Sequence, residues 1–217
     1  MALQPKFGDF SKLTVGIIAI HGDFTENKIC VEKLGAKTKL IRSSYDFDES
    51  INAIIIPGGE SSTISLLLNK DRILLNKLVN WTKNGYPTYG ICGGMILLSE
   101  FTRSTEEKKE KAGLLRALRM TVDRNFFEKN GFCFKKELEI PIFEDPKFCG
   151  IFIRGPAITK PVDKEIEVLC SIEIEKQKVI LAVRKGAVLA TSFHPELTDD
   201  LRFHKMFLET ALDFNKK

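Results

Sequence analysis

The chain has 217 residues, 43% of them hydrophobic and 29% charged, with a formal net charge of +4. That length and composition fit a single α/β domain with a full core, expected to span 1–217, and argue against a disordered or fibrous chain. Lysine is scattered rather than gathered in a block, which argues against a nucleic-acid-binding surface, and no apolar run is long enough for a membrane span.

Leu13 to Ile20 is a short, almost continuous apolar run rich in β-branched residues, the pattern of a parallel strand buried on both faces. His21-Gly22-Asp23 ends it, and Thr25 to Lys33 follows as a helix. Thr38 to Arg42 is a weaker strand. Ile51 to Ile56 is a second buried strand, stopped by Pro57-Gly58-Gly59, with helices over Ser62 to Leu68 and Asp71 to Lys83. Pro87 to Ile91 reads as strand and Gly93 to Glu100 as helix. Strand and helix alternate, so the first half predicts a three-layer, mostly parallel, doubly wound sheet.

Beyond the charge run Arg103 to Lys111, read as a solvated loop or helix end, the pattern changes. Met120 to Asp123, Lys136 to Ile140, Gly150 to Arg154, Ile166 to Ile174, Val179 to Arg184 and Ala187 to Phe193 all read as strands. Few helices separate them, which predicts antiparallel additions to the same sheet in the C-terminal half. A last helix is expected after Thr198 as N-cap, with Asp199 and Asp200 in its first turn. Phe203, Met206, Phe207, Thr210, Ala211 and Phe214 would face the core.

The five cysteines, Cys30, Cys92, Cys133, Cys149 and Cys170, are odd in number and contain no C-x-x-C pair. That argues against a disulfide framework and a zinc site and for a reducing compartment. Met1 to Lys12 lacks the apolar run of a signal peptide, so a cytoplasmic chain is expected.

Cys92 stands apart from the other four. Tyr89-Gly90-Ile91-Cys92-Gly93-Gly94 follows a strand and opens an apolar helix, the arrangement of a nucleophile elbow with cysteine in place of serine. The helix N-terminus beneath the sulfur favours its anion, and the N–H after the nucleophile can bind an oxyanion. The plain alternative is a buried structural cysteine, which is the reading for Cys30, Cys133, Cys149 and Cys170.

A thiolate needs a group to carry a proton to the leaving amine. Of the three histidines, His194 ends a strand and is followed by Pro195 and Glu196. In extended backbone, positions i and i+2 share a face, so Glu196 can orient the ring. His204 lies inside the last helix and reads as structural or surface. Gly58 and Gly59, at the end of a strand, let a backbone approach a ligand, either as an anion cradle or as an oxyanion hole; a simple tight turn explains them equally. No Lys-Ser/Thr follows, so this is not a P-loop.

Together these segments resemble the class I (triad) glutamine amidotransferases, and within them the glutaminase subunits of pyridoxal 5′-phosphate synthase. The resemblance rests on Pro57 to Thr63, Gly90 to Gly94, Phe152 to Pro156 and Thr191 to Asp200, with Arg202 and His204 after the last block. It implies Cys92, His194 and Glu196 as a catalytic set, and oxyanion donors at Gly59 and Gly93. It implies glutamine contacts at Gly58, Gly59, Glu60, Arg124, Ile153 and Arg154, since a free α-carboxylate suits a guanidinium fork. It implies no cofactor or metal, and a TIM-barrel synthase subunit as partner. His21-Gly22 stands where the family has Gln-Gly, a loop tied to activation, and His21 is expected to donate a hydrogen bond in place of the glutamine amide. Gly93 and Gly155 replace alanine, and Lys129 to Lys147 matches poorly, as a variable insertion would. The competing readings are an amidotransferase of another pathway, a cysteine hydrolase of similar fold and a catalytically silent regulatory subunit.

Overall fold

The computed structural model describes residues 8–103, 111–127, 133–161 and 163–216. Five parallel strands form its centre. They are β1 (Thr14–Ile18), β2 (Lys37–Ile41), β3 (Ala53–Ile56), β4 (Thr88–Ile91) and β13 (Val188–Thr191), in the order β2-β1-β3-β4-β13. β1 and β3 come from the buried apolar runs of the first half, β2 from the weaker strand read over 38–42 and β4 from Pro87 to Ile91. The fifth is the last strand of the chain, and it pairs in parallel with β4, Ala190 opposite Gly90.

From β13 the sheet continues as a mostly antiparallel wing: β12 (Gln177–Lys185), β10 (Ala157–Pro161), β7 (Leu118–Asp123), β5 (Ser99–Arg103) and β6 (Lys111–Ala112). The β5–β7 pair is parallel, and β11 (Glu167–Ile174) pairs antiparallel with β12.

Alternate residues along the central strands feed two cores. Val15, Ile17, Ala53 and Ile55 pack on one face with Val31 of α1 (Phe24–Lys33) and Phe203, Phe207 and Ala211 of α5 (Arg202–Phe214). Ile54 and Ile56 pack on the other, with Ile64 of α2 (Ser61–Lys70), Leu74 and Leu78 of α3 (Arg72–Lys83) and Met95 of α4 (Gly93–Leu98). Strands with both faces covered need apolar residues at every position, hence the unbroken runs.

Some sequence expectations need correction. β8 (Cys133–Glu139) and β9 (Lys147–Ile153) do not join the main sheet; they form a separate two-stranded hairpin. Its strands carry much of the poorly matching segment 129–147, of which 129–132 lie outside the described residues, as does 104–110 of the charge run. The hairpin lays Phe134, Phe148 and Phe152 into an aromatic cluster with Phe127, Phe193 and Phe203. Cys133 and Cys149 are exposed, not buried, because they fall on the outward positions of that hairpin.

Thr198 does not cap α5. Its hydroxyl donates to the Pro195 carbonyl and closes a 3-10 turn, Pro195–Leu197; the residue at the N-cap of α5 is Leu201, which makes no side-chain cap bond, and Asp200 accepts from Arg202 N at 3.1 Å from just outside the helix. The α5 face is as expected at Phe203, Met206, Phe207 and Ala211. It also buries His204, whose Nε2 meets Asn27 Oδ1 at 2.9 Å. Burial pushes His204 down to about 4, so it sits neutral in the core.

Candidate active site

The carboxyl ends of four parallel strands converge on one cavity of about 780 Å³. The loop after β1 brings His21, Gly22 and Asp23, the turn after β3 brings Gly59 and Glu60, the turn after β4 brings Cys92, and the end of β13 brings His194. Ligand sites in open parallel sheets form at this edge.

The backbone of Cys92 is in the left-handed region, φ 48°, where a non-glycine residue is strained and must be held by its surroundings. Its N–H donates to Thr191 of β13 at 2.7 Å, and its carbonyl accepts the first bond of α4, from Ile96 N at 3.2 Å. Glycine follows because the Gly59 carbonyl oxygen lies 2.3 Å from where a Cβ on Gly93 would stand. The first loop is clamped to the same turn. Gly22 has φ +93° with the Gly58 carbonyl 1.6 Å from a would-be Cβ, and Asp23 N donates to that carbonyl at 3.2 Å. Gly58 itself does not line the cavity; it sits behind His194, against the ring.

His194 is 2% exposed and Glu196 5%. His194 Nδ1 meets Glu196 Oε1 at 2.9 Å. The contact is made through the 3-10 turn and not through extended backbone, so the i, i+2 argument reaches the right pair by the wrong geometry. Nε2, the other ring nitrogen, is buried with no hydrogen-bond partner among the described residues. Burial alone would lower the His194 pKa. Cys92, Asp23 and Glu196 outweigh it and hold His194 well above the usual histidine range. Glu196 is itself raised by burial, against the pull of His194. The short contact to Nδ1 favours the carboxylate as acceptor, and with it a charged ring.

The opposite wall comes from the wing and the hairpin. Arg124, just after β7, donates through Nη2 to Ser61 Oγ at 3.1 Å and Ser62 Oγ at 2.5 Å, and lies 3.5 Å from Glu60 Oε1. Glu60 caps α2 by accepting from Ser62 N. Ile153 and Arg154 line the cavity at the end of β9, with Arg154 at φ 45°. The cavity therefore carries a nucleophile-elbow thiol, a histidine on a carboxylate, two guanidinium groups and one free-edged carboxylate. That inventory suits attack on a small zwitterionic amide. Sequence reasoning overlooked Asp23, whose Oδ2 lies 3.3 Å from His194 Nδ1. The signal was an acid next to Gly22 at the carboxyl end of β1. It also gave no role to Lys111, Asn125 and Pro156, which line the cavity, although Pro156 ends the Phe152 to Pro156 motif.

A cysteine elbow facing a histidine–carboxylate pair across a parallel-sheet edge defines an α/β protein of the glutamine-amidotransferase type. A solved structure described as a glutamine amidotransferase superposes with a TM-score of 0.77 at 34% identity, covering 91% of this chain and 98% of that one. A PurLQS structure from Thermotoga maritima gives a TM-score of 0.66 at 14% identity over 94% of this chain and 99% of that one, a likeness of fold alone. The SNO glutamine amidotransferase family matches residues 17–213, and the chain belongs to that family. Relatives described as pyridoxal 5′-phosphate synthase subunit PdxT include one from Bifidobacterium longum, 38% identical over 89% of this chain and 98% of its own length. Another, from Mycobacterium bovis, is 39% identical over 90% of this chain and 94% of its own length.

Proposed function

We propose that this chain is the glutaminase subunit of a pyridoxal 5′-phosphate synthase, a single cytoplasmic domain that hydrolyses L-glutamine to L-glutamate and ammonia. The observation that carries the reading is His194, held by Glu196 on one ring nitrogen and with the other buried and, among the described residues, unpartnered in the cavity that contains Cys92. The cavity-lining groups and the relatives' names support it together.

Glutamine enters with its α-carboxylate toward Arg124 and Arg154 and its ammonium group toward Glu60, with Ile153 and the Gly59 backbone along its length. The Cys92 thiolate attacks the side-chain amide carbon. The carbonyl electron pair moves onto oxygen, where the N–H groups of Gly59 and Gly93 receive it. The imidazolium of His194 gives its Nε2 proton to the amide nitrogen, the C–N bond breaks, and ammonia leaves a thioester on Cys92. Neutral His194 then takes a proton from water, hydroxide adds to the thioester, and glutamate departs as the thiolate returns. No metal or cofactor takes part.

The ammonia passes to a TIM-barrel synthase subunit, which combines it with a pentose phosphate and glyceraldehyde 3-phosphate. His21, beside the Gly59 turn, replaces the family's glutamine in the loop that links docking to the oxyanion site, and His21→Ala is expected to weaken stimulation by the partner.

The test is glutamate release from glutamine, by the chain alone and with a synthase subunit added. Release that rises with the partner and vanishes in Cys92→Ala supports the assignment. No release with a competent partner overturns the pathway reading and points to another amidotransferase.

A further inference from the structure

Two carboxylates, not one, address His194 Nδ1. Glu196 Oε1 lies at 2.9 Å and Asp23 Oδ2 at 3.3 Å, and the three ligating atoms fall within 4.8 Å of one another. Nδ1 carries at most one N–H; it is hydrogen-bonded to Glu196 Oε1, and Asp23 Oδ2 stands at ion-pair distance from the same nitrogen. Their surroundings differ. The Glu196 side chain is sealed from water, while that of Asp23 is one-third exposed. Burial makes ionising Glu196 costly, whereas the hydrogen bond to His194 holds Asp23 below the usual carboxylate range. Of the two, Asp23 is the one whose surroundings favour the anion.

Asp23 is fixed independently of its carboxylate. Its N–H binds the Gly58 carbonyl, and its carbonyl accepts from Asn27 N and from Asn27 Nδ2, the latter at 2.8 Å. The other charged groups facing His194 are Cys92 and Glu196, and His21 acts on Asp23 in turn. Glu60, Lys111, Arg124 and Arg154 stand elsewhere on the cavity wall.

We infer that Asp23 is a second positioning carboxylate for His194, sharing Nδ1 with Glu196 and supplying negative charge from the first loop. The inference rests on the glutaminase reading only for its kinetic consequence. The contact itself predicts a property of the histidine. Asp23→Asn keeps an acceptor and the backbone bonds but removes the charge, so the imidazolium should lose its proton at lower pH. Asp23→Ala removes the acceptor as well.

The experiment has two arms. One is the pH dependence of kcat/KM for glutamate release in the synthase complex. The other is an NMR titration of the ¹⁵N-histidine-labelled chain, which needs no activity. In Asp23→Asn, the basic limb of the profile and the His194 titration should both fall by about one pH unit, the low end of the range because Asp23 is partly in water. Asp23→Ala should add a drop in kcat at similar KM. Asp23→Glu should hold both values near wild type, and it keeps the proposal testable if the neutral variants fold poorly. In the double variant with Glu196→Gln, the loss should exceed the product of the single losses, as for two groups serving one nitrogen. An unmoved limb and an unmoved titration in a folded Asp23→Asn would overturn the proposal, since a residue that only clamps the loop would change stability and leave the histidine alone. A wild type that releases no glutamate, with a titration that still falls in Asp23→Asn, would sink the glutaminase reading and leave the contact standing.

Discussion

The parallel centre and the antiparallel wing with its hairpin are built by different means. In the centre, reactive groups sit on turns a few residues long at strand ends, and glycines let those turns touch backbone to backbone. In the wing and hairpin the cavity wall is held from behind, by phenylalanines packed ring against ring and by cross-strand pairs. The centre therefore has little tolerance for added volume at its turns, and the hairpin has little tolerance for lost volume behind it.

Phe203→Ala should show the largest stability effect. Its ring contacts Phe143, Phe148 and Phe193 at centroid distances of 5.0 to 5.2 Å, and removing it from a closed core should cost about 3–5 kcal/mol. A denaturant midpoint barely changed from wild type would break the contrast. Gly22→Ala is the mirror experiment in the centre. A Cβ at φ +93° and 1.6 Å from the Gly58 carbonyl forces the loop off the turn. The stability loss should be smaller, about 1–3 kcal/mol, and glutamate release should fall far more than stability does. Equal losses in both readouts would mean the turn is structural only.

His204 ties α5 to α1 through Asn27 and should make stability depend on pH. The folded protein keeps it neutral down to about 4, while the unfolded chain protonates it near the ordinary 6.5. Its contribution is present above 6.5 and is lost as pH falls from there through 4, amounting to about 3 kcal/mol. Unfolding free energies measured between pH 4 and 7 should flatten in His204→Gln. The smallest effect should come from the wing's surface. Arg184 binds Glu167 across β12 and β11 through two hydrogen bonds, yet both side chains meet water, so Arg184→Ala should shift stability by no more than about 1 kcal/mol.

The same division explains what the sequence made legible. β1 and β3 were readable because strands covered on both faces leave unbroken apolar runs, β4 because it leads straight into a glycine turn, and the Cys92 elbow because its glycines fall where backbones collide. β5, β6 and β10 were not, being short and bordered by charge or proline. Alternation in 133–153 marks strands but carries no statement of partner, so the hairpin's independence from the main sheet could not be read. Asp23 was marked only as an acid at the end of β1, and nothing local says that this loop will meet a histidine 171 residues later. Thr198 misled because a hydroxyl before two acids suits a 3-10 turn as well as a helix cap.

The placement of β13 carries a further consequence. Until it docks, β4 is an edge strand, and the Cys92 N–H lacks the Thr191 carbonyl that holds the elbow. Tyr89 and Thr191, which join these strands through their hydroxyls, are separated by 102 residues. A chain emerging from the ribosome thus carries its thiol for about half of its synthesis without His194, and closing so long a loop is a slow, late event in folding. The nascent polypeptide is chemically idle by construction, and its activity begins only when the final strand slides into the gap.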